Sequence, residues 1–438
     1  MEAAAQPHET RVLFRHIDEP GLHEIATYER LGGYSALKKA FKEIEPGELV
    51  SSLEDSVLRG RGGAGFSMGK KASFLPRGEM QKYLCCNADE SEPGTFKDRV
   101  LMEKDPHQLI EGCAITGFAV GANTTYIYIR GEYTHAARVL EDAIRDAYDH
   151  GVLGDSVLGS GFKHDVYVHR GAGAYICGEE TGLLESLEGK RGQPRVKPPF
   201  PAVVGAFGCP TVINNVETLC CVTHIVQRGA EWFKSIGTDE RNTGPKLYAI
   251  SGHVERPGTY EYPIGVTFQE LLDGCGGMYK GRGLKAFIPG GASAPMLTAD
   301  DRHIKMDFDT LAKAGSMLGS AAVIVMDETT CVVRAALRLA KFFAHESCGQ
   351  CTPCREGTNW MELILHRIEG GHGSESDVDL LASVVPNVGG ISLCALGDAA
   401  QGPVRSLVQK FGDEIRANIR AKRYPMPRAP FFDAGAAA

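Results

Sequence analysis

The stretch Cys348-Gly-Gln-Cys351-Thr-Pro-Cys354 decides how the C-terminal part of the chain is interpreted. Its three thiols stand three residues apart, and a fourth, Cys394, follows downstream in Gly389-Gly-Ile-Ser-Leu-Cys394. Ferredoxin-type sequences use such a local run with a remote cysteine to hold a cubane cluster. Zinc sites usually combine two separated Cys-x₂-Cys pairs or add histidines. Redox thiols and plain structural cysteines remain alternatives, but the spacing favours one 4Fe–4S cluster on these four residues.

The bulk composition is that of an ordinary globular protein. Its 438 residues are 43% hydrophobic and 23% charged, and this length predicts about three domains. The net charge of −8 and the lack of a basic block argue against nucleic-acid binding. No apolar run approaches the ~20 residues that span a bilayer, so we expect any membrane association to depend on a partner.

Cysteine usage and the N-terminus indicate a reducing compartment. The chain has 13 cysteines, an odd number, and most stand in apolar segments. Residues 1–7 show neither the basic region nor the apolar core of a signal peptide. Reduced thiols in a cytosolic protein are therefore expected, and not a disulfide framework.

A glycine-rich stretch, Arg59-Gly-Arg-Gly-Gly-Ala-Gly-Phe66, contains the pattern Gly-x-Gly-x-x-Gly. An ordinary Rossmann fingerprint needs a strand before this pattern, and here the periodicity predicts a helix over 48–59 instead. Glycines nevertheless let backbone N–H groups approach a phosphate. The alternative is a plain surface turn. The cationic side chains around the stretch are Arg59, Arg61, Lys70 and Lys71.

Strands and helices alternate in the following part of the chain, which predicts an α/β fold with a largely parallel sheet. The predicted strands are 82–86, 125–129 and 165–169, and the predicted helices are 107–120 and 133–149. Polar residues Asn87-Ala-Asp-Glu-Ser-Glu-Pro-Gly94 follow the first strand. Open α/β sheets bind ligands at such strand ends, although a solvated acidic loop is the alternative.

Three further polar segments are candidate ligand contacts. Glu179 and Glu180 end a glycine-rich turn at the start of a helix, where they either complement the helix dipole or bind cofactor hydroxyls. Lys197 and Phe200 stand in a proline-rich loop over 194–201. Asn214 and Asn215 open another helix, either as caps or as phosphate ligands beside exposed N–H groups.

The C-terminal half divides into a small α+β module and a helical region. Predicted strands of the module are 246–250, 258–262, 285–288 and 321–326, with a helix over 266–275. Predicted helices beyond it are 332–346, 360–369, 377–385 and 403–410. The expected domains are 1–240, 241–328 and 329–423, followed by a Pro- and Ala-rich tail, 424–438, that is expected to be disordered.

These motifs, in this order, resemble the NADH-binding flavoprotein subunit of respiratory complex I, its 51-kDa or F-type subunit. The resemblance covers nearly the whole chain. It implies a modified Rossmann-like FMN domain, a β-grasp domain of the soluble-ligand-binding type and a helical bundle with the 4Fe–4S cluster. The segments that carry it are Arg59 to Phe66, Asn87 to Gly94, Gly171 to Glu188, Asn214 to Thr218, Glu346 to Gly357 and Ser392 to Cys394.

The resemblance also assigns cofactor contacts residue by residue. FMN is expected against Gly60, Arg61, Gly62, Lys71, Asn87, Asp89, Asn214, Asn215 and Thr218, with Tyr175, Gly178 and Glu179 lining the pocket and Gly63 and Gly65 in the same loop. NADH is expected to stack on Phe66, Phe74 and Phe200, with polar contacts from Glu92, Glu180 and Lys197. The family has Phe-Pro where this chain has Phe66-Ser67.

The implied function is NADH dehydrogenation, with electrons passing from FMN through the cluster towards quinone. The implied partners are a small 2Fe–2S thioredoxin-like subunit and a large multi-cluster iron–sulfur subunit, which would hold the chain on the cytoplasmic face of the membrane. No side chain is nominated as acid or base, because hydride passes between cofactors. Two alternatives remain: a diaphorase subunit of a soluble NAD-linked hydrogenase or formate dehydrogenase, and a non-enzymatic iron–sulfur scaffold.

Overall fold

Four parallel strands form the first sheet of this computed structural model, which describes residues 10–422. Their order is β3-β2-β1-β4, so β1 lies between β2 and β4. The bounds are Tyr83–Ala88 for β1, Thr124–Ile129 for β2, Asp165–Arg170 for β3 and Thr211–Asn215 for β4. The predicted parallel α/β arrangement is confirmed. The tail predicted to be disordered over 424–438 lies outside the described residues.

Strand β4 was not predicted. Its five residues begin directly after Pro210 and end in Asn214 and Asn215, so too few apolar residues remain to give a strand pattern. The strand is instead stabilised by its pairing with the central strand β1, in which Leu84 is opposite Val212 and Asn87 is opposite Asn215. Asn214 and Asn215, which were expected to open a helix, therefore also end a strand.

Ten helices accompany this sheet in the described part of the chain. Helix α6 is buried along nearly its whole length and begins at Pro106, after the capping Asp105. It ends at Val120, before Gly121, whose φ of +71° is left-handed. The bounds are Ile25–Arg30 (α1), Ser35–Glu43 (α2), Pro46–Asp55 (α3), Met68–Ser73 (α4), Asp98–Lys104 (α5), Pro106–Val120 (α6), Thr134–Asp149 (α7), Glu180–Leu187 (α8), Val216–Arg228 (α9) and Ala230–Lys234 (α10).

A second sheet of five strands, in the order β6-β5-β9-β7-β8, builds the predicted α+β module. Stacked rings of Phe268 and Phe287, 3.7 Å apart between centroids, lie in its core. The bounds are Pro245–Gly252 (β5), Gly258–Pro263 (β6), Phe268–Gly274 (α11), Leu284–Ile288 (β7), Leu297–Thr298 (β8), Phe308–Lys313 (α12) and Ala322–Asp327 (β9).

The N-terminal lead-in is tied to this module by one carboxylate. Glu261 of β6 is fully buried and accepts hydrogen bonds from the backbone N–H groups of Val12, Leu13 and Phe14 at 2.8–2.9 Å. Burial raises the pKa of Glu261 to about 8. The first described residues therefore depend on a side chain that is remote in sequence.

Five helices complete the described chain: Val332–Glu346 (α13), Thr352–Glu369 (α14), Glu375–Val384 (α15), Ala395–Lys410 (α16) and Gly412–Ala421 (α17). Helices α14 and α16 begin earlier than predicted, and α16 continues through Pro403 because its buried face packs into the helical core. Helix α17 was not predicted. Within residues 10–422, no helix is both long enough and apolar enough to cross a bilayer.

Candidate functional site

The four predicted cluster cysteines are brought together at helix ends. Cys348 and Cys351 lie in the loop between α13 and α14, Cys354 lies in the first turn of α14, and Cys394 directly precedes α16. Because α14 and α16 begin this early, their N-termini lie at the cysteines. A helix N-terminus favours a negatively charged thiolate. All four cysteines line one recess, together with Ile176, Pro194, Ser347, Gln350, Leu393 and Leu396.

The donor set of this recess fits an iron–sulfur cluster. Four cysteine sulfurs are the usual ligands of a 4Fe–4S centre. Burial raises the pKa of Cys394 to about 12 and also raises the pKa of Cys354, so iron must displace the thiol protons on binding. Within residues 10–422, no group of three or more His, Cys, Asp or Glu side chains is arranged to hold a single metal ion.

The glycine-rich loop lies between α3 and α4, as expected for a loop that does not follow a strand. A Cβ atom on Gly62 would stand 2.8 Å from Cβ of Asn215, so only glycine permits this approach. The backbone N–H of Arg61 donates to Thr218 Oγ1 at 2.8 Å. The loop is thereby packed against the β4–α9 turn, which brings two of the predicted FMN motifs together.

The Arg61 side chain is oriented inwards. It is fully buried, and its guanidinium donates to the carbonyl oxygens of Thr243 at 2.6 Å and Arg59 at 3.3 Å. Its charge thus lies between the glycine loop and the second sheet, near the buried Glu217. The sequence analysis counted Arg61 among the cations around the loop, whereas the structure buries its guanidinium against backbone carbonyl groups.

A buried network of ion pairs and hydrogen bonds holds the β4–α9 turn in place. Lys97 and Lys246 lie 2.7 Å and 2.6 Å from Glu217 Oε2, and Asn215 Nδ2 donates to Asp98 at 2.6 Å. Asn215 Oδ1 also accepts the N–H of Glu217, as an N-cap does. The capping alternative is therefore realised for Asn215, and Lys246 of β5 links the second sheet to the turn.

Two buried polar atoms at the ends of neighbouring strands have no hydrogen-bond partner among residues 10–422. They are Oδ2 of Asp89, just beyond β1, and Nδ2 of Asn214, in β4. Leaving such atoms unpaired costs about 1–3 kcal/mol each. Burial raises the pKa of Asp89 to about 7, although its Ser91 hydrogen bond opposes the rise. The hydroxyl-bearing chain of a flavin nucleotide fits this need for donors and acceptors.

Glu179 and Glu180 stand at the start of α8 and share one lysine. Glu179 caps the helix through Thr181 N–H at 2.7 Å and contacts Lys197 at 2.9 Å. Glu180 lies 2.7 Å from Lys197 and 2.9 Å from Lys71. Burial would raise the pKa of Glu180, but the two lysines hold it below its usual value. The carboxylate is therefore ionised at neutral pH.

Glu92 is partly buried at the junction of all three parts of the chain. Its carboxylate accepts the Tyr175 hydroxyl and the Ser293 N–H, both at 2.6 Å, and burial raises its pKa. The Tyr175 backbone N–H donates in turn to Glu346 at 2.9 Å, two residues before Cys348. The role of Glu346 could have been suspected from its place in the cysteine motif, whereas nothing in the sequence indicated Ser293.

The aromatic side chains expected at the nucleotide site are exposed. Phe66 and Phe74 are 52% and 51% exposed, with ring centroids 6.2 Å apart. Phe200 is 57% exposed on the loop that also carries Lys197. Exposed rings next to cationic groups offer faces on which a planar base can stack.

Comparisons with known proteins agree with this division of the chain. Residues 53–224 match the family described as "Nuo51 FMN-binding domain". Residues 247–296 match the SLBB domain. Residues 334–418 match the "NADH-ubiquinone oxidoreductase-F iron-sulfur binding region". The predicted flavin and iron–sulfur cofactors are therefore confirmed as FMN and a 4Fe–4S cluster.

Full-length relatives are similar over almost the whole chain. The second F-type subunit of NADH-quinone oxidoreductase in Rhizobium meliloti (strain 1021) is 56% identical over 94% of this chain and 99% of the relative. The F-type subunit of the same enzyme in Mycobacterium tuberculosis (strain ATCC 25618 / H37Rv) is 50% identical over 95% of each chain. A solved structure of NAD⁺-reducing [NiFe]-hydrogenase in the air-oxidized state is 35% identical, with a TM-score of 0.80 over 97% of this chain and 70% of that chain. The chain belongs to the family of F-type subunits of NADH-quinone oxidoreductase.

Proposed function

We propose that this chain is the NADH-oxidising subunit of an NADH:quinone oxidoreductase and delivers single electrons from NADH to partner subunits. The observation that carries this proposal is that the same two segments of the chain contribute residues to both candidate cofactor sites. Ile176 and Pro194 line the cysteine recess, while Tyr175 and Lys197, close to them in sequence, belong to the candidate flavin and nucleotide site. The path from one site to the other is therefore short.

When bound, FMN accepts a hydride and releases electrons one at a time, and a 4Fe–4S cluster accepts one. The side chains hold the reactants in place and provide no acid or base. Positioning alone contributes a large part of such a reaction, because it replaces a bimolecular encounter with an oriented contact.

The flavin nucleotide is proposed to lie over the glycine loop and the ends of β1 and β4. Support comes from the unpaired Asp89 and Asn214 atoms and from the close approach of Gly62 to Asn215. The proposed contacts remain Gly60, Arg61, Gly62, Gly63, Gly65, Lys71, Asn87, Asp89, Asn214, Asn215 and Thr218, with Tyr175, Gly178 and Glu179 at the side of the pocket.

NADH is proposed to stack on Phe66, Phe74 and Phe200, with Glu92, Glu180 and Lys197 as polar contacts. Ionised Glu180 can accept hydrogen bonds from ribose hydroxyls, while its charge repels the 2′-phosphate of NADPH. In the described structure Glu92 is engaged with Tyr175 and Ser293. NADH would therefore meet Glu92 only through the carboxylate lone pairs that these two donors leave free.

The proposed functional units keep the boundaries 1–240, 241–328 and 329–423. The proposed partners are a small 2Fe–2S thioredoxin-like subunit and a large multi-cluster iron–sulfur subunit, with the chain peripheral on the cytoplasmic face of the membrane. A diaphorase of a soluble hydrogenase is the second candidate, favoured by the likeness to the NAD⁺-reducing [NiFe]-hydrogenase. Co-purification with membrane-arm subunits supports the first function, and co-purification with hydrogenase subunits supports the second.

One experiment tests the enzyme proposal directly. The full chain, purified without oxygen, should show flavin and iron–sulfur absorption, release FMN on extraction and reduce ferricyanide with NADH. A chain with a cluster but no flavin and no ferricyanide reduction would instead be the iron–sulfur scaffold.

A further inference from the structure

Ser347 lies within hydrogen-bond distance of one of the four predicted ligand cysteines. Its Oγ lies 3.2 Å from Sγ of Cys354 and 3.4 Å from the backbone nitrogen of Gly349. The Gly349 N–H can only donate, so it uses a lone pair of the Ser347 oxygen. The oxygen keeps its proton and a second lone pair, so it can donate to the Cys354 sulfur or accept from a protonated thiol.

Binding of the cluster leaves one direction for this hydrogen bond. A cysteine that ligates iron is a thiolate without a proton, so the sulfur can only accept. The contact therefore favours negative charge on this sulfur.

Hydrogen bonds to cluster sulfurs are one of the factors that set a cluster's reduction potential. Reduction adds negative charge that is shared with the sulfurs, so a donor stabilises the reduced state more than the oxidised state. The backbone N–H of Leu393 contributes a second, longer contact to Cys351 Sγ at 3.5 Å. Of these two donors, only the Ser347 hydroxyl belongs to a side chain that substitution can remove.

The carboxylate of Glu346, next to Ser347, would have the opposite effect on the potential because it is negatively charged. Its oxygens, however, bind other groups. Glu346 accepts the Tyr175 N–H at 2.9 Å through Oε2 and contacts His345 Nδ1 at 3.1 Å through Oε1. Both oxygens thus have partners outside the cysteine recess. Among residues 10–422, the Ser347 hydroxyl is the side-chain group that hydrogen-bonds to one of the four predicted ligand sulfurs.

We propose that Ser347 is a positioning residue that raises the reduction potential of the 4Fe–4S cluster, because its hydroxyl donates a hydrogen bond to the Cys354 sulfur. The inference rests on the proposed function, since it needs the cluster in this recess. Its consequence is an easier one-electron transfer from the flavin site to the cluster.

The test is a redox titration of the full chain, followed by electron paramagnetic resonance of the reduced cluster. Ser347→Ala should keep the iron content and shift the midpoint to a more negative potential, while Ser347→Thr, which retains the hydroxyl, should stay near the wild-type value. Ser392→Ala is the matched control beside Cys394. Its hydroxyl donates to the Val388 carbonyl at 2.8 Å, so its loss should leave the midpoint unchanged.

A Ser347→Ala midpoint equal to that of the wild type overturns the inference and leaves the proposed function intact. If the Ser347→Ala variant does not bind the cluster, the Ser347→Thr variant decides whether the hydroxyl has the proposed role. A Thr variant with cluster and wild-type midpoint supports the role of the hydroxyl, and a Thr variant that also loses the cluster contradicts it. A wild-type chain without any cluster would overturn the proposed function together with the inference.

Discussion

The ammonium nitrogen of Lys197 lies 2.7 Å from Oε1 of Glu180, while Lys71 binds the other oxygen of the same carboxylate at 2.9 Å. Lys71 follows the glycine loop, and Lys197 belongs to the proline-rich loop. Two motifs that are far apart in sequence therefore meet at one carboxylate, which fixes its position and its charge.

Glu180→Gln should raise the KM for NADH about tenfold, because a charged hydrogen-bond acceptor of this kind contributes about 1.5 kcal/mol to binding. FMN content should be unchanged. The measurement is NADH:ferricyanide kinetics with a flavin assay on the same sample. Glu141→Gln is the control, since Glu141 pairs with Arg170 on the surface. A KM equal to that of the wild type would remove Glu180 from the nucleotide site.

Cys394→Ala should abolish the electron paramagnetic resonance signal of the cluster and leave FMN in place. Cys394 lines the recess from the start of α16, while the candidate flavin residues lie on other elements. Cys209→Ala is the matched control, because this half-buried thiol lies beside the Phe207 carbonyl. If the signal persists unchanged without Cys394, the fourth ligand has been assigned to the wrong residue.

Gly357→Ala should destabilise the cluster region, although alanine normally favours a helix over glycine. A Cβ at Gly357 would stand 2.2 Å from Val388 Cγ2, and Val388 lies in the segment that leads to Cys394. We expect a loss of about 1–3 kcal/mol in the free energy of unfolding and reduced iron content.

The double variant Gly357→Ala, Val388→Ala tests the cause, because removing the valine methyl groups should restore most of the iron content. Gly47→Ala in α3 is the control, since a Cβ there meets no atom within 4 Å. A single variant as stable as the wild type would show that the Val388 segment can move without cost.

Asp377→Asn should lower the stability of the helical region by about 1 kcal/mol at neutral pH, because it removes a negative charge that pairs with Arg367 in the first turn of α15. Asp377 accepts the Ser374 N–H at 2.8 Å and pairs with Arg367. The Arg367 hydrogen bond lowers the pKa of Asp377 below its usual value of 3.8.

The sign of the pH dependence follows from that direction. A depressed carboxyl pKa in the folded state stabilises the fold above the unfolded-state pKa, and the benefit is lost as pH falls through the folded-state pKa. Denaturant unfolding at several pH values should therefore show the variant and wild type converging in acid. Asp379→Asn, on the exposed face of the same helix, should track the wild type throughout. A difference that does not shrink in acid would contradict the assignment.

The sequence by itself determined the elements with strong local signals. Periodicity predicted α6, α7 and α13 and the strands β1 to β3, and the cysteine spacing predicted the cluster. The helical periodicity before the glycine loop showed that the loop was not an ordinary Rossmann turn, which follows a strand.

Only the tertiary structure decided how these parts meet. Strand β4 exists through its pairing with β1, and the buried Arg61 guanidinium donates to the Thr243 carbonyl. The contacts of Glu92 with Ser293 and of Tyr175 with Glu346 join three parts of the chain. Local sequence encodes propensity and pattern, but a contact between distant residues depends on how whole elements pack, so these relationships appear only once the chain is folded.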